Sequence, residues 1–173
     1  VLGCPSFSLE KNVNNGRGAI FYAVRGEGAF FSKIDNGKPE RASVDNVTKV
    51  GNARFCESVE TAHSFHEVHK KIAAVLGITA APCRMDSQVK YAALARGEAS
   101  IYLRLPRKED YREKIWDHAA GSIIVEEAGG KVSDFKGNPL QFNRGRKLEN
   151  NIGILATNGK LHQSVVDAIS EVI

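Results

Sequence analysis

Asp117 stands in "EKIWDHAAGSIIVEEAGG", residues 113 to 130, against an aromatic and just ahead of Ala-Ala-Gly, where an apolar run closed by two glycines begins. A carboxylate at the mouth of such a helix has two uses. As a cap it accepts from the orphan N–H groups of the first turn and suits the positive end of the dipole. As a ligand it faces a site and holds a metal ion. Caps are the commoner use, so local sequence favours the first. Ser87 and Lys90 follow "CRMD" at a spacing that puts both on one face of a helix, at its positive end. A hydroxyl, an ammonium and free N–H groups make a phosphate cradle; the plainer reading is a capping serine and a solvated lysine. Arg104 ends the apolar strand "ASIYLR" and either forks onto a phosphate or joins a surface salt bridge. His63 precedes a helix, where an imidazole contacts a ligand or serves as a satisfied structural residue. The other histidines, His66, His69, His118 and His162, read as solvated or packing residues. Glu126 and Glu127 read as a solvated acid pair, and Gly129 and Gly130 as an ordinary helix end.

These side chains need a frame that gathers strand ends. "GAIFYAVRGEGAFFS" reads as a hairpin around Arg25-Gly26-Glu27-Gly28, and "KIDNGKPERASVDN" as a loop and boundary. From about residue 49, strand and helix alternate. "ARFCES" is followed by the helix "SFHEVHKKIAAVLG", with a capping box from Ser64 to Glu67 and Gly77 after its end. "CRMD" leads into "SQVKYAALARG", and "ASIYLRLP" stops at Pro106. "KVSDFKG" and "NIGILATNG" are strands, and "KLHQSVVDAISEVI" is an amphipathic closing helix. This order predicts a layered α/β sandwich, with residues 1–48 as the sheet of one domain and 49–173 as an α/β domain. In open α/β sheets ligands gather beyond the carboxyl ends of strands, where Glu60, His63 and Ser64, then Asp86, Ser87 and Lys90, then Arg104 fall.

Composition narrows the setting. The chain has 173 residues, 42% hydrophobic and 25% charged, and is long enough for one domain or somewhat more. No apolar run approaches the roughly 18 residues of a membrane span, so no membrane partner is expected. The opening "VLGCPSFSLE" lacks the basic region of a signal peptide and an initiating Met, and reads as a chain entered midway. Three widely spaced cysteines without CxxC predict neither a disulfide framework nor a zinc site, and suit a reducing, cytoplasmic interior. A formal charge of +4, mild and scattered, gives no argument for nucleic acid, so no nucleic-acid partner is expected, and it is compatible with a small anionic ligand.

"WDHAAG" followed by "EAGG" resembles the second signature of the magnesium-dependent, lithium-sensitive phosphatases that include inositol monophosphatase. "MDSQVKYAALARGEASIYLRLP", "YREKIWDHAAGSIIVEEAGG", "ESVETAHSFH" and "LGCPSFSL" narrow the resemblance to the 3′(2′),5′-bisphosphate nucleotidases. It covers nearly the whole chain and is most specific from Arg84 to Gly130. The resemblance implies an inositol monophosphatase-like fold and removal of the 3′-phosphate from 3′-phosphoadenosine 5′-phosphate to give AMP, with 3′-phosphoadenylyl sulfate as a further substrate. It also implies a link to sulfate assimilation and salt tolerance. Carried over by position, it makes Asp117 a Mg2+ ligand and His63, Ser87, Lys90 and Arg104 nucleotide contacts, reversing the plainer local readings. The family's other ligands, a glutamate and a "DPxDGT" segment that helps activate water, lie earlier in its members, and no "DPxDGT" occurs here. One carboxylate cannot place two metal ions. The chain is therefore expected to be a C-terminal half that carries no water-activating residue, needs its N-terminal half and is inactive alone. A sibling phosphatase for inositol phosphates and a non-catalytic nucleotide-binding module are the alternatives.

Overall fold

The computed structural model describes residues 1–9, 18–35, 37–59, 66–106 and 110–173. Strands β1 (Leu2–Cys4), β2 (Ala19–Val24), β3 (Gly28–Lys33) and β4 (Glu40–Arg41) form an antiparallel sheet in chain order. β2 and β3 make the expected hairpin. Phe21 and Phe31 lie opposite each other on its buried face with rings 5.6 Å apart, and Gly26 and Gly28 supply the positive φ the turn needs.

The second sheet contains β5 (Phe55–Glu57), β6 (Cys83–Arg84), β7 (Ile101–Arg104), β8 (Lys131–Ser133) and β9 (Ile154–Thr157), in the order β6-β5-β7-β9-β8. β6, β5 and β7 run parallel, whereas β9 runs antiparallel to both β7 and β8. The helices are α1 (His66–Val75), α2 (Val89–Ala95), α3 (Ala119–Glu127) and α4 (His162–Val172). α2 and α3 pack on each other between the two sheets; α1 and α4 pair on the far face of the second. The layers are sheet, helices, sheet, helices, an α/β sandwich.

Two apolar clusters follow from this stacking. The inner one joins Phe21 and Phe31 of the first sheet to Tyr91, Leu94, Tyr102 and Ile124, so the segments on either side of residue 48 share a core. The outer one joins Phe55, Leu103 and Leu155 to Ile72, Val165 and Ile169. Along β7 the side chains alternate between them, Ile101 and Leu103 outward and Tyr102 inward. A strand covered on both faces reads as a continuous apolar run, which is why "IYL" was legible. Among the described residues, no helix is long and apolar enough to cross a membrane.

Two local expectations need correction. Ser87 does not share a helical face with Lys90. It sits in the turn before α2 with φ +54°, a left-handed conformation uncommon for a non-glycine residue. Asp117 does not open the helix either. It closes a short 3-10 turn, Ile115–Asp117, and neither that turn nor α3 carries a side-chain cap.

Candidate functional site

The parallel strands β5, β6 and β7 all end toward one edge of the sheet, and the polar residues that follow them converge there. Lys90, one residue into α2, is only 3% exposed. Its Nζ donates to the Met85 carbonyl at 3.3 Å and the Ser58 hydroxyl at 3.4 Å, and lies 5.5 Å from the Tyr102 ring centroid. Burial lowers the pKa of its ammonium below the ordinary range; Arg104 adds to that, and Asp86 opposes it. Ser87 is exposed and lines an open groove of about 500 Å³ with Pro5, Phe7, Met85 and Asp86.

Arg104 is part-buried, and its Nε donates to Glu113 Oε1 at 2.8 Å. It is not the surface salt bridge of the plainer reading, because Glu113 is only 3% exposed. The other carboxylate oxygen of Glu113 meets His118 Nε2 at 3.1 Å, and His118 Nδ1 meets the Tyr91 hydroxyl at 2.8 Å. A neutral His118 with its proton on Nε2 donates to the carboxylate and accepts from the phenol, so the chain of bonds is self-consistent. Burial opposes ionisation of Glu113, but the bonds from His118 and Arg104 outweigh it and hold the carboxyl below its usual range.

Gln88 grips the Asp117 turn from the α2 side. Its Nε2 donates to the Trp116 carbonyl at 3.0 Å, and its Oε1 accepts from Gly121 N–H at 3.1 Å. Asp117 lies between these two anchors. Among the described residues, no hydrogen bond or ion pair engages its half-buried carboxylate. Trp116 beside it is half exposed, with the Arg146 guanidinium 5.2 Å from its ring centroid. An unpartnered carboxylate is the hard oxygen donor a magnesium ion takes. It is a single donor: among the described residues, no group of three or more His, Cys, Asp or Glu side chains converges on a common point.

The structure therefore brings Ser87, Lys90, Arg104 and Asp117 into one region, linked through Gln88, Glu113 and His118. His63, like Glu60, Ser64 and the His66 side chain, lies outside the described residues. Glu113, Gln88 and Tyr91 were given no role from sequence and His118 only that of a solvated or packing residue, although all four fall inside the quoted motifs. A pattern around a site marks supporting residues as well as contacting ones, and that was the available signal. Glu126 and Glu127 are part-exposed, as expected of a solvated face, but they also make contacts. Glu127 accepts from Gly26 N–H and Gly28 N–H, each at 2.9 Å, and Glu126 pairs with Arg25 at 3.2 Å, tying the end of α3 to the β2–β3 turn. His118 and His162 are buried, which selects the packing reading over the solvated one.

Comparison with known proteins matches the inositol monophosphatase family over residues 1–173. A 3′(2′),5′-bisphosphate nucleotidase of Schizosaccharomyces pombe is 45% identical over 99% of this chain and 50% of its own length. A 3′(2′),5′-bisphosphate nucleotidase of Oryza sativa is 47% identical over 100% of the chain and 50% of its own. The inositol monophosphatase of Anabaena superposes with a TM-score of 0.61 at 22% identity, over 90% of this chain and 59% of that one. The chain thus spans about half the length of the curated relatives it matches.

Proposed function

The chain belongs to the inositol monophosphatase family, and on that premise we propose that the protein is a magnesium-dependent phosphatase removing the 3′-phosphate of 3′-phosphoadenosine 5′-phosphate to leave AMP. The names of its relatives supply the substrate class. The observation that carries the reading is Asp117: a half-buried carboxylate without a partner among the described residues, held between the anchors of Gln88, close to the elements that bear Lys90 and Arg104.

In this reading Asp117 is one ligand of the magnesium site, and Ser87, Lys90 and Arg104 hold the 5′-phosphate, with His63 as a further nucleotide contact. The bound magnesium would neutralise charge on the scissile phosphate and acidify the attacking water. Lys90 is suited to its part because its stem is packed away and its ammonium is already fixed by Met85 and Ser58, so little motion is lost on binding. Glu113 engages Arg104 at Nε and so holds in place the guanidinium that would meet the phosphate. By the resemblance, the remaining ligands, a glutamate and a "DPxDGT" segment, would come from outside these 173 residues. The 173 residues alone then release no phosphate.

The test uses the full-length gene product carrying this chain, assayed on 3′-phosphoadenosine 5′-phosphate, adenosine 3′-monophosphate and inositol 1-phosphate. Asp117→Asn keeps size but removes the charge, and is expected to abolish most turnover with little change in melting temperature. Lys90→Ala is expected to cost roughly ten- to hundredfold in kcat/KM on the bisphosphate and little on the 3′-monophosphate, which has no 5′-phosphate to hold. Unaltered kinetics in Asp117→Asn would remove the metal assignment. Equal losses on the two nucleotides would remove the anchor, and preferred turnover of inositol 1-phosphate would remove the nucleotide.

A further inference from the structure

Glu113 is a buried carboxylate that enters the reading above only as the partner of Arg104 Nε, and burying a carboxylate is costly unless both oxygens are engaged. They are engaged by partners of different standing. Oε1 takes Arg104 Nε, at the end of β7, and Oε2 takes His118 Nε2, in the residue that directly follows Asp117. The backbone around Glu113 is fixed as well: its carbonyl accepts from Leu148 N–H at 2.9 Å, and Ile115 N–H donates to Arg146 at 3.2 Å. Behind His118, the Tyr91 phenol closes the line at 2.8 Å, and its ring packs edge-on against Tyr102 at 5.0 Å. Glu113 can therefore shift toward neither partner without breaking its bond to the other.

We propose that Glu113 is a positioning residue, a two-sided brace whose carboxylate sets the spacing between the Arg104 guanidinium and the turn that carries Asp117. An arginine at a strand end has several rotatable bonds, and a phosphate held by an unbraced guanidinium would wander relative to a group held at Asp117. Tying Nε to a buried acid removes that freedom before binding. The same carboxylate fixes His118, so the two ends of the site are referenced to one rigid group. The inference rests on Arg104 being a nucleotide contact, and its test keeps the two ideas apart.

The experiment is a double-mutant cycle in the full-length gene product. AMP binding is measured by calorimetry in EDTA, which isolates the nucleotide contacts from any metal. The variants are Arg104→Ala, Glu113→Gln, Glu113→Ala and the double variant Arg104→Ala/Glu113→Ala. A brace predicts that Glu113→Ala weakens AMP binding roughly tenfold, and that the double variant is no weaker than Arg104→Ala alone, because the brace acts through the arginine. Glu113→Gln keeps an acceptor for Arg104 Nε but turns an amide N–H2 toward the His118 Nε2–H, so it is expected to lose AMP affinity a few-fold, less than Glu113→Ala; where Glu113→Ala fails to fold, full AMP affinity in Glu113→Gln would overturn the brace. On 3′-phosphoadenosine 5′-phosphate, Glu113→Ala should lower kcat as well as raise KM, since both ends of the site lose their reference.

A structural role alone would move melting temperature and leave AMP affinity in the folded fraction unchanged. Losses from Arg104→Ala and Glu113→Ala that multiply in full would overturn the brace while leaving Arg104 as a contact. Full AMP affinity in Arg104→Ala would overturn that contact and the brace with it.

Discussion

Gly121 sits in the first turn of α3, where "HAAG" reads as an ordinary run of small residues, yet the packing there leaves no room for a methyl group. A Cβ at Gly121 would lie 2.2 Å from Cδ2 and 2.4 Å from Cγ of Tyr91. Carbon atoms in contact sit about 3.5–4.0 Å apart, so the ring or the helix must yield by more than about 1 Å. Tyr91 cannot yield freely: it is 1% exposed, and its hydroxyl is committed to His118. Overpacking of this kind costs about 1–3 kcal/mol, and losing the Tyr91–His118 bond adds about 1. Replacing a helical glycine by alanine returns about 1 kcal/mol. Gly121→Ala is therefore expected to lose about 1–3 kcal/mol in urea melts of the full-length protein. Gly3→Ala, whose added methyl meets nothing within 4 Å, serves as the control and should be nearly neutral. Shrinking the ring side should relieve the strain, so Gly121→Ala/Tyr91→Leu should lose at least about 1 kcal/mol less than the two single losses added. Stability at or above wild type in Gly121→Ala, or strict additivity in the double variant, would refute the close approach of α2 and α3.

Two further outcomes follow from other buried groups. His162 is held between Ser133 Oγ at 2.8 Å and Thr157 Oγ1 at 3.0 Å, and burial lowers its pKa from 6.5 to about 4. The unfolded chain takes up the proton first as pH falls, so stability should decline between about pH 6.5 and 4, by roughly 3 kcal/mol in full. Urea melts across that range should slope less in His162→Gln; identical slopes would remove His162 as the source. Cys4, Cys56 and Cys83 are all free and buried. Burial pushes the Cys4 thiol up to about 11; its bond with Cys83 and burial push Cys56 up, and the same bond draws Cys83 down. A short alkylation pulse read by mass spectrometry should label Cys83 ahead of the other two in native protein and all three in urea. Early labelling of Cys56 would mean the inner face of β5 opens.

The frame was legible where one local rule decided the outcome. The β2–β3 hairpin announced itself through glycines between aromatic runs, and α4 through its apolar spacing, because those signals depend on neighbours along the chain. β7 was legible because both its faces are covered. What escaped was set by partners distant in sequence. His118 and His162 look alike as single letters, and only the carboxylate or hydroxyls that meet them make them buried structural groups. Glu113 was invisible for the same reason, since its partners come from a strand end and a turn. Ser87 was misread because helical spacing was extended one turn too far, into a residue whose φ is positive. Asp117 was read with its two uses open, and its lack of a cap bond is a fact of three-dimensional arrangement that no spacing contains.

α3 has no slack at either end. Its first turn is clasped by Gln88 and by the His118–Glu113 bond, and its last acids are fastened to the turn between β2 and β3. A helix of this length, roughly 13 Å, is stiff along its axis. Lodged between the two sheets and fastened at both ends, it is placed to act as a push-rod, by which a displacement imposed on the hairpin would be carried to Asp117. The hairpin, though it carries none of the proposed contacts, is in this sense part of the mounting of the site. Substitutions at Arg25, Gly26 or Gly28 would then reach Asp117 by transmission rather than by touch, visible as changed turnover without loss of a proposed contact.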